Sequence, residues 1–367
     1  MKEQFLFDKL SKMSLQTKIG QMLLIDYRNE DGFKMTVDLE KVLTTYSPGG
    51  FILFRSNLSD YKNTQKLLHS IKEIGDISPF IAADHEGGIV QKLSDVGLTI
   101  IPSMEEVAKT MSEEDVFNLG KKMGEELKSI GVDMDMAPVL DVLSNPNNVG
   151  IQSRSFGSDP EVVKRLSMAI ANGLKEEKVI SVGKHFPGHG GVITNSHEDL
   201  PVIDKNLEEL KALELIPFIE AIKQNVPGIM VGHLAVPKVT GDKTPASLSK
   251  VLVNDILRDD LGYNGLSLPD ALKRMGALTK YFDEREIYLR CINAGNDMLL
   301  MPQNINIAYD TIYRAVNEGT ITEERINEAV YRILSTKFDY GFFDKEYNEY
   351  VLNNQNQQYV NTQYKHR

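Results

Sequence analysis

The stretch VISVGKHFPGHG, residues 179–190, combines the two features on which the fold prediction depends. It begins with an apolar run of strand length, and it ends in a charged, glycine-rich turn. Apolar runs that do not alternate with polar residues are typical of strands buried on both faces of a parallel sheet. The same order recurs in seven other segments: QMLLID (21–26), GGFILF (49–54), PFIAAD (79–84), VDMDMAPVLDV (132–142), GIMVGHLAVP (228–237), GLSLPDA (265–271) and NDMLLMP (296–302).

Segments with apolar residues at helical spacing separate these predicted strands. Examples are EVVKRLSMAIANGLKEEK (161–178) and NLEELKALELIPFIEAIKQN (206–225). Eight strands with intervening helices predict an α/β fold, a (β/α)8 TIM-type barrel that forms a single domain. An open, doubly wound sheet is the main alternative, but no G-x-G-x-x-G follows the first strand.

The C-terminal part of the chain predicts a helical extension of the barrel. In TITEERINEAVYRILSTKF (320–338), one helical stripe carries Ile326, Ala329, Val330, Ile333 and Leu334. We therefore expect this helix to pack outside the barrel. The barrel domain is predicted over residues 1–346. The Asn- and Gln-rich residues 347–367 are predicted to be a tail, either disordered or packed as an extension.

Composition excludes several classes of protein. Of the 367 residues, 41% are hydrophobic and 25% are charged, which is typical of globular proteins rather than disordered or fibrous ones. The 41 Lys and Arg residues against 52 Asp and Glu give a net charge of −11, so we expect no nucleic-acid partner. The single cysteine, Cys291, excludes an internal disulfide and any C-x-x-C motif, which indicates a reducing compartment or a fold that is indifferent to redox state.

The sequence also carries no membrane or export signal that we recognise. The N-terminal residues MKEQFLFDKLSKMSLQTKIG have mixed charge and lack the apolar centre of a signal peptide. No apolar run approaches the roughly 18 residues that a membrane-spanning helix needs. We therefore expect a cytoplasmic protein without a membrane partner, and we leave the oligomeric state open.

Polar residues concentrate at the predicted strand ends, where barrels of this kind carry their chemistry. The third strand ends in Asp84, the fourth runs to Asp141, and the seventh ends in Asp270. Five of the seven histidines lie at these ends or in the loop after the fifth strand: His85, His185, His189, His197 and His233. The alternative for any one of them is a structural hydrogen bond in the barrel mouth.

Several kinds of chemistry are disfavoured by the motifs. His185 and His189 are four residues apart, but Pro187 and Gly188 between them disfavour the helix that a metal site of this spacing needs, and no H-E-x-x-H is present. The G-x-S-x-G of serine hydrolases and the G-x-x-x-x-G-K-[ST] phosphate loop are also absent. We expect no metal and no cofactor. Asp270 is a candidate carboxylate nucleophile, although an N-cap of the next helix is an equal alternative.

These residues resemble a known family. The string GKHFPGHG (183–190), with His197 and then EDLP (198–201) downstream, resembles glycoside hydrolase family 3 and, more narrowly, its β-N-acetylglucosaminidase branch. Supporting matches occur in the family's order over nearly the whole chain: DHEGG (84–88), APVLDV (137–142), RSFGSDP (154–160), residues 265–270 and AGNDMLLMP (294–302).

The resemblance implies an enzyme that removes terminal β-linked N-acetylglucosamine with retention of configuration. It implies Asp270 as the nucleophile and His197, on the loop after the fifth strand, as the general acid/base. Histidine suits this role because it titrates near neutral pH. Residues expected to bind the sugar are Asp84, Lys92, Arg154, Lys184 and His185, to which we add His233. Muropeptide or chitin fragments are the expected substrates, which would place the enzyme in peptidoglycan recycling.

Three residues depart from the family pattern. Asn195 occupies the position of an aspartate that pairs with the loop histidine, Lys92 replaces an arginine, and Ile89 replaces a charged residue. Asparagine can accept a hydrogen bond from the imidazole but lacks the charge. Two alternatives therefore stay open: a catalytically weakened or silent sugar-binding protein, and a β-glucosidase or phosphorylase specificity.

Overall fold

In a computed structural model, which describes residues 1–365, the eight predicted strands form one parallel sheet. Two further short strands, which form a separate hairpin, follow the third strand of this sheet. The strands are β1 (Leu23–Ile25), β2 (Gly50–Ile52), β3 (Phe80–Ala83), β4 (His85–Gly87), β5 (Val90–Gln91), β6 (Met134–Asp135), β7 (Ile180–Phe186), β8 (Gly228–Val231), β9 (Leu266–Pro269) and β10 (Leu299–Leu300). The hairpin is the antiparallel pair β4–β5.

The sheet curls until its two ends meet. Its strand order is β10-β1-β2-β3-β6-β7-β8-β9, so the last strand lies beside the first. Across the remaining join, the Asp297 amide donates to the Ser267 carbonyl oxygen at 2.7 Å, and the Leu272 amide donates to that of Leu300 at 2.9 Å. The predicted (β/α)8 barrel is therefore confirmed.

Helices surround this sheet. They are α1 (Lys2–Lys12), α2 (Leu15–Gln21), α3 (Val37–Tyr46), α4 (Tyr61–Lys72), α5 (Met104–Thr110), α6 (Glu113–Ile130), α7 (Pro160–Glu176), α8 (Leu207–Ala212), α9 (Ile216–Lys223), α10 (Pro237–Thr240), α11 (Gly276–Thr279), α12 (Glu284–Ala294), α13 (Ile305–Asn317), α14 (Glu323–Asp339) and α15 (Asp344–Lys365), with a π-helix at Val251–Asp260. Within residues 1–365, no helix combines the length and apolar character needed to cross a membrane.

Local sequence signals explain where the helices start and stop. The α6 helix begins with a capping box, in which Ser112 accepts from the Asp115 amide and Asp115 accepts from that of Ser112. It ends at Gly131, whose φ of 108° is readily adopted only by glycine. The α7 helix begins with Asp159 as N-cap and Pro160 in the first turn.

The C-terminal helices pack against the N-terminal one. All five residues of the predicted α14 stripe are buried. The α15 helix covers most of the predicted tail, and its Tyr350 hydroxyl donates to Asp8 on α1 at 2.8 Å. Residues 366–367 of that tail lie outside the described residues. The division of the chain at residue 346 stays a prediction.

Lys337 of α14 is a buried ionisable residue at the end of the barrel where the strands begin. It is fully buried, its ammonium group donates to Gln21 Oε1 at 2.8 Å, and it lies 4.9 Å from the ring centre of Phe80. Burial in these surroundings lowers the pKa of Lys337 to about 7. The unfolded chain therefore binds this proton more tightly than the folded protein does.

The Lys337→Met variant should reveal this difference as a change in pH dependence. Stability of the natural chain should rise from pH 7 towards pH 10, because Lys337 is neutral when folded but still protonated when unfolded. In the variant this contribution, about 4 kcal/mol between pH 6 and pH 10, should be missing. Urea unfolding of both proteins at each pH measures the difference. Parallel pH curves for the two proteins would contradict the buried titration.

Candidate active site

A cavity of about 1250 Å³ opens at the end of the barrel where the parallel strands finish. Barrel enzymes carry their chemistry at this face. Eight of the nine predicted site residues line it: Asp84, Lys92, Arg154, Lys184, His185, Asn195, His197 and Asp270. The ninth, His233, lies behind the wall. The fold therefore brings residues from both halves of the chain to one place.

Asp270 follows β9 directly and is held by the backbone. Its amide donates to the Val231 carbonyl oxygen at 2.7 Å, and its Oδ1 accepts from the Ala271 amide at 2.7 Å. The N-cap alternative is wrong, because the next helix, α11, begins at Gly276 after Met275. Burial raises the pKa of Asp270, but the positive charge that His185 and His233 can carry, with the Ala271 amide, outweighs burial and leaves it below its usual value.

His185 is held in place by the buried carboxylate of Asp141, which follows strand β6 in the chain. Asp141 Oδ2 lies 2.7 Å from His185 Nδ1, and Asp141 Oδ1 accepts from the backbone amides of His185 (3.2 Å) and His189 (2.7 Å). A carboxylate only accepts, so Nδ1 carries the ring proton in this pair. Nε2 is then left to face the cavity, where it can bind a hydroxyl group.

A network of alternating charges forms the floor beside Asp270. Glu86 accepts two bonds of 2.8 Å from Arg154 and a bond of 2.5 Å from Lys184. Asp84 accepts from Lys92 at 2.8 Å and lies 3.6 Å from Lys184. Burial alone would raise the pKa of Glu86, but Lys184 and Arg154 lower it to about 2. The pKa of Asp84 is lowered in the same way, against burial, by Lys184 and Lys92. Both carboxylates are therefore ionised at neutral pH.

Glu86 and Asp141 are the residues that the sequence-based site prediction left out. Both are buried and act through their partners, orienting Arg154, Lys184 and His185. A period of two along a strand would have placed Glu86 on the same side as Asp84. The position of Asp141 at the end of a predicted strand indicated a possible site residue, but the sequence did not indicate that its partner is His185.

His197 and Asn195 form a pair on the loop after β7. Asn195 Oδ1 accepts from the His197 amide at 3.0 Å and lies 3.1 Å from His197 Nδ1. Both residues are exposed at the cavity wall. With the amide oxygen as acceptor, Nδ1 carries the proton and Nε2 is left for a substrate atom. The pairing expected for an aspartate is thus kept in its geometry but not in its charge.

Two other histidines at strand ends, His233 and His85, are buried and do not line the cavity. His233 is fully buried; its Nδ1 lies 2.7 Å from Ser247 Oγ and its Nε2 lies 2.8 Å from the Ala271 carbonyl oxygen. Both nitrogens of His233 are therefore occupied by the protein, and it supports the segment that carries Asp270. His85 is also fully buried, and neither ring nitrogen has a partner within residues 1–365.

A family model agrees with this arrangement. Residues 14–336 match the model described as the glycosyl hydrolase family 3 N terminal domain. The chain belongs to glycosyl hydrolase family 3. The match covers the barrel and stops within α14.

Proteins that are similar to this chain differ from it in length. Beta-hexosaminidase LpqI of Mycobacterium tuberculosis is 33% identical over 332 residues, which are 89% of this chain and 83% of that protein. Beta-hexosaminidase A of Pseudoalteromonas piscicida is 30% identical, over 87% of this chain and 60% of that protein. A solved family 3 β-N-acetylglucosaminidase from Paenibacillus aligns with a TM-score of 0.86 and 33% identity, covering 90% of this chain and 63% of its own. The chain thus spans about three fifths of the longer relatives.

Proposed function

We propose that this protein is a retaining exo-β-N-acetylglucosaminidase, with Asp270 as nucleophile and His197 as general acid/base. The observation that carries the proposal is that both side chains line one cavity, which has a charged network of sugar-binding character on its floor. The names of the relatives, beta-hexosaminidase and β-N-acetylglucosaminidase, support this choice of substrate.

The first step is displacement at the anomeric carbon of the terminal sugar. Asp270 is ionised because its pKa lies below the usual value, so a carboxylate oxygen can form a bond to that carbon. The glycosidic C–O bond breaks, and the leaving oxygen takes a proton from protonated His197. The product is a covalent glycosyl-enzyme with inverted configuration.

The second step returns the enzyme to its starting state. His197, now neutral, removes a proton from water as the water oxygen bonds to the anomeric carbon. The bond to Asp270 breaks, and its electron pair returns to the carboxylate. Two inversions give net retention of configuration.

Sugar hydroxyls are the groups that the floor of the cavity can bind. Lys92, Lys184 and Arg154 donate, Asp84 accepts, and His185 Nε2 can accept. Because the charges of Lys92, Lys184 and Arg154 are already paired with carboxylates, the floor is suited to a neutral sugar ring. Muropeptide and chitin fragments, and a place in peptidoglycan recycling in the cytoplasm, are part of this proposal from the sequence.

A second candidate function is sugar binding with weak or no catalysis. The observation that favours it is Asn195, whose amide oxygen holds the His197 ring without the negative charge that would stabilise its protonated form. Under this candidate, the cavity binds N-acetylglucosamine but turns over glycosides at rates near those of buffer.

Hydrolysis of 4-nitrophenyl N-acetyl-β-glucosaminide tests the proposal. We expect release of 4-nitrophenol well above buffer, with the β-anomer of the sugar appearing first in proton NMR, and much slower cleavage of the 4-nitrophenyl β-glucoside. First appearance of the α-anomer would contradict the retaining mechanism. Faster cleavage of the glucoside would contradict the choice of sugar. Sugar 1-phosphate formed on adding phosphate would indicate a phosphorylase, and binding without turnover would favour the second candidate.

A further inference from the structure

The loop that carries His197 is hydrogen-bonded to the segment that follows Asp270. The Gly276 amide donates to the His197 carbonyl oxygen at 3.0 Å, and the Ala277 amide donates to the Ser196 carbonyl oxygen at 3.0 Å. These amides begin α11, whose N-cap, Met275, offers no side-chain bond to them. The loop carbonyls therefore satisfy donors that the helix leaves open.

Side chains add further contacts between the loop and the residues that follow α11. Asp199 Oδ1 accepts from the Tyr281 hydroxyl at 2.5 Å, and Asp199 Oδ2 lies 3.4 Å from Lys280 Nζ. Tyr281 is 55% exposed, so water can compete for these bonds. We call the contacts between residues 196–199 and residues 276–281 the latch.

Gly276 allows the loop to come this close. A Cβ atom at this position would lie 2.8 Å from the His197 carbonyl oxygen and closer still to the Glu198 carbonyl oxygen. Real Cβ atoms do not tolerate such contacts with backbone. The backbone of Gly276 lies outside the left-handed region, so alanine is compatible with α11 itself. The missing side chain therefore serves the approach of the loop.

The segment from Asp270 to Tyr281 links the two groups that must meet across the sugar. At one end, Asp270 is bonded to Val231. In the middle, the Leu272 amide donates to Leu300, and the Arg274 amide donates to Gln303 Oε1 at 3.2 Å. At the other end, the latch holds His197. The same stretch of backbone thus carries the nucleophile and supports the loop opposite it.

We propose that Gly276, Asp199 and Tyr281 are positioning residues that hold His197 over the cavity for proton transfer. They touch neither sugar nor reacting atoms in this scheme, and they act only through His197. The catalytic consequence of this inference rests on the proposed function, although the effect of the latch on the loop can be measured without any substrate.

The sharpest test compares two leaving groups in the Gly276→Ala variant. A 4-methoxyphenyl leaving group needs a proton as the bond breaks, whereas a 2,4-dinitrophenyl group does not. We expect kcat/KM for the first N-acetyl-β-glucosaminide to fall about 10-fold, which is part of the about 10²- to 10⁴-fold that general acid catalysis supplies. The value for the second should change less than about threefold. Tyr281→Phe should show the same selectivity with a smaller loss.

Matched controls separate the latch from general damage. Thr279→Ala removes a hydroxyl that donates to the carbonyl oxygen of the N-cap Met275 at 3.0 Å and has no hydrogen bond to residues 196–199. Tyr61→Phe removes an exposed tyrosine hydrogen bond, to Ser129, between α4 and α6. Both should match the natural chain with both substrates. Equal losses with the two leaving groups, or no loss with either in a folded Gly276→Ala variant, would overturn the proposal.

Hydrogen exchange gives a readout that does not depend on activity. The amides of residues 193–199 should exchange faster in Tyr281→Phe and Gly276→Ala, and unchanged exchange in both would also overturn the latch. If the natural chain cleaves neither substrate, the proposed function fails. The hydrogen-exchange result still decides whether the latch holds the loop. If Gly276→Ala does not fold, Tyr281→Phe carries both measurements.

Discussion

Replacing Asp270 with asparagine is expected to lower kcat/KM for 4-nitrophenyl N-acetyl-β-glucosaminide by on the order of 10⁶-fold, the size of effect that loss of a nucleophile has in a serine protease. The amide cannot form the glycosyl ester. Its carbonyl oxygen should still accept from the Ala271 amide, as Asp270 Oδ1 does now, so the fold around it should persist. The loss should therefore appear in the chemistry and not in stability.

Rates and mass spectra check this expectation together. A slowed fluorinated substrate should add one sugar mass to the Asp270 peptide of the natural chain and none to Asp270→Asn. Asp204→Asn is a matched control, because Asp204 is an aspartate whose side chain is 84% exposed and which, among residues 1–365, forms an ion pair with Lys238 alone. Asp270→Asn activity within about 100-fold of the natural chain, in an unchanged fold, would remove Asp270 from the mechanism.

The pKa of Asp270 also fixes its part in the pH profile. That pKa lies below the usual value near 3.8, so the carboxylate stays ionised throughout the range from pH 4 upwards. A fall of kcat/KM between pH 4 and pH 6 would then have to come from another group. Asp270 is therefore ionised from pH 4 upwards, and a fall of kcat/KM on the alkaline side would also have to come from another group.

The barrel could be predicted from sequence because each strand is short, apolar and buried on both sides. The segment GLSLPDA gave strand β9 and placed Asp270 at its end. The same letters allowed an N-cap, since aspartate after a strand often begins a helix. Only the chain path through residues 271–275, which delays α11 to Gly276, distinguishes the two.

The partners of the site residues could not be predicted in the same way. His185 and His233 both belong to largely apolar strand segments, 179–186 and 228–237, yet His185 lines the cavity and His233 bonds Ser247 and Ala271 behind it. That choice depends on contacts between segments far apart in the chain. The latch is of the same kind, because nothing in the residues around His197 indicates that Gly276 and Tyr281 will meet them.

The Asn195→Asp variant is expected to raise kcat/KM by about 10²-fold. In a serine protease the reverse change, from aspartate to asparagine beside the catalytic histidine, costs about 10⁴-fold. Here the pair is exposed in the free protein, so water screens the added charge and the gain should be smaller. The carboxylate can keep both bonds that Asn195 Oδ1 now accepts from His197. What changes is the charge beside the imidazolium, the form that donates the proton.

The pH profile should separate this cause from a change in binding. Because a carboxylate stabilises imidazolium, Asn195→Asp should keep its activity to higher pH than the natural chain, with the gain in kcat rather than in KM. Asn145→Asp is the matched control, since Asn145 also accepts, at 3.0 Å, from the amide two residues ahead and has no histidine at that position. A folded Asn195→Asp variant with a rate less than about twofold above the natural chain would mean that charge at residue 195 is not what limits proton transfer. If both proteins also matched buffer, the sugar-binding candidate would replace the enzyme, because restoring the charge beside His197 would have restored no activity.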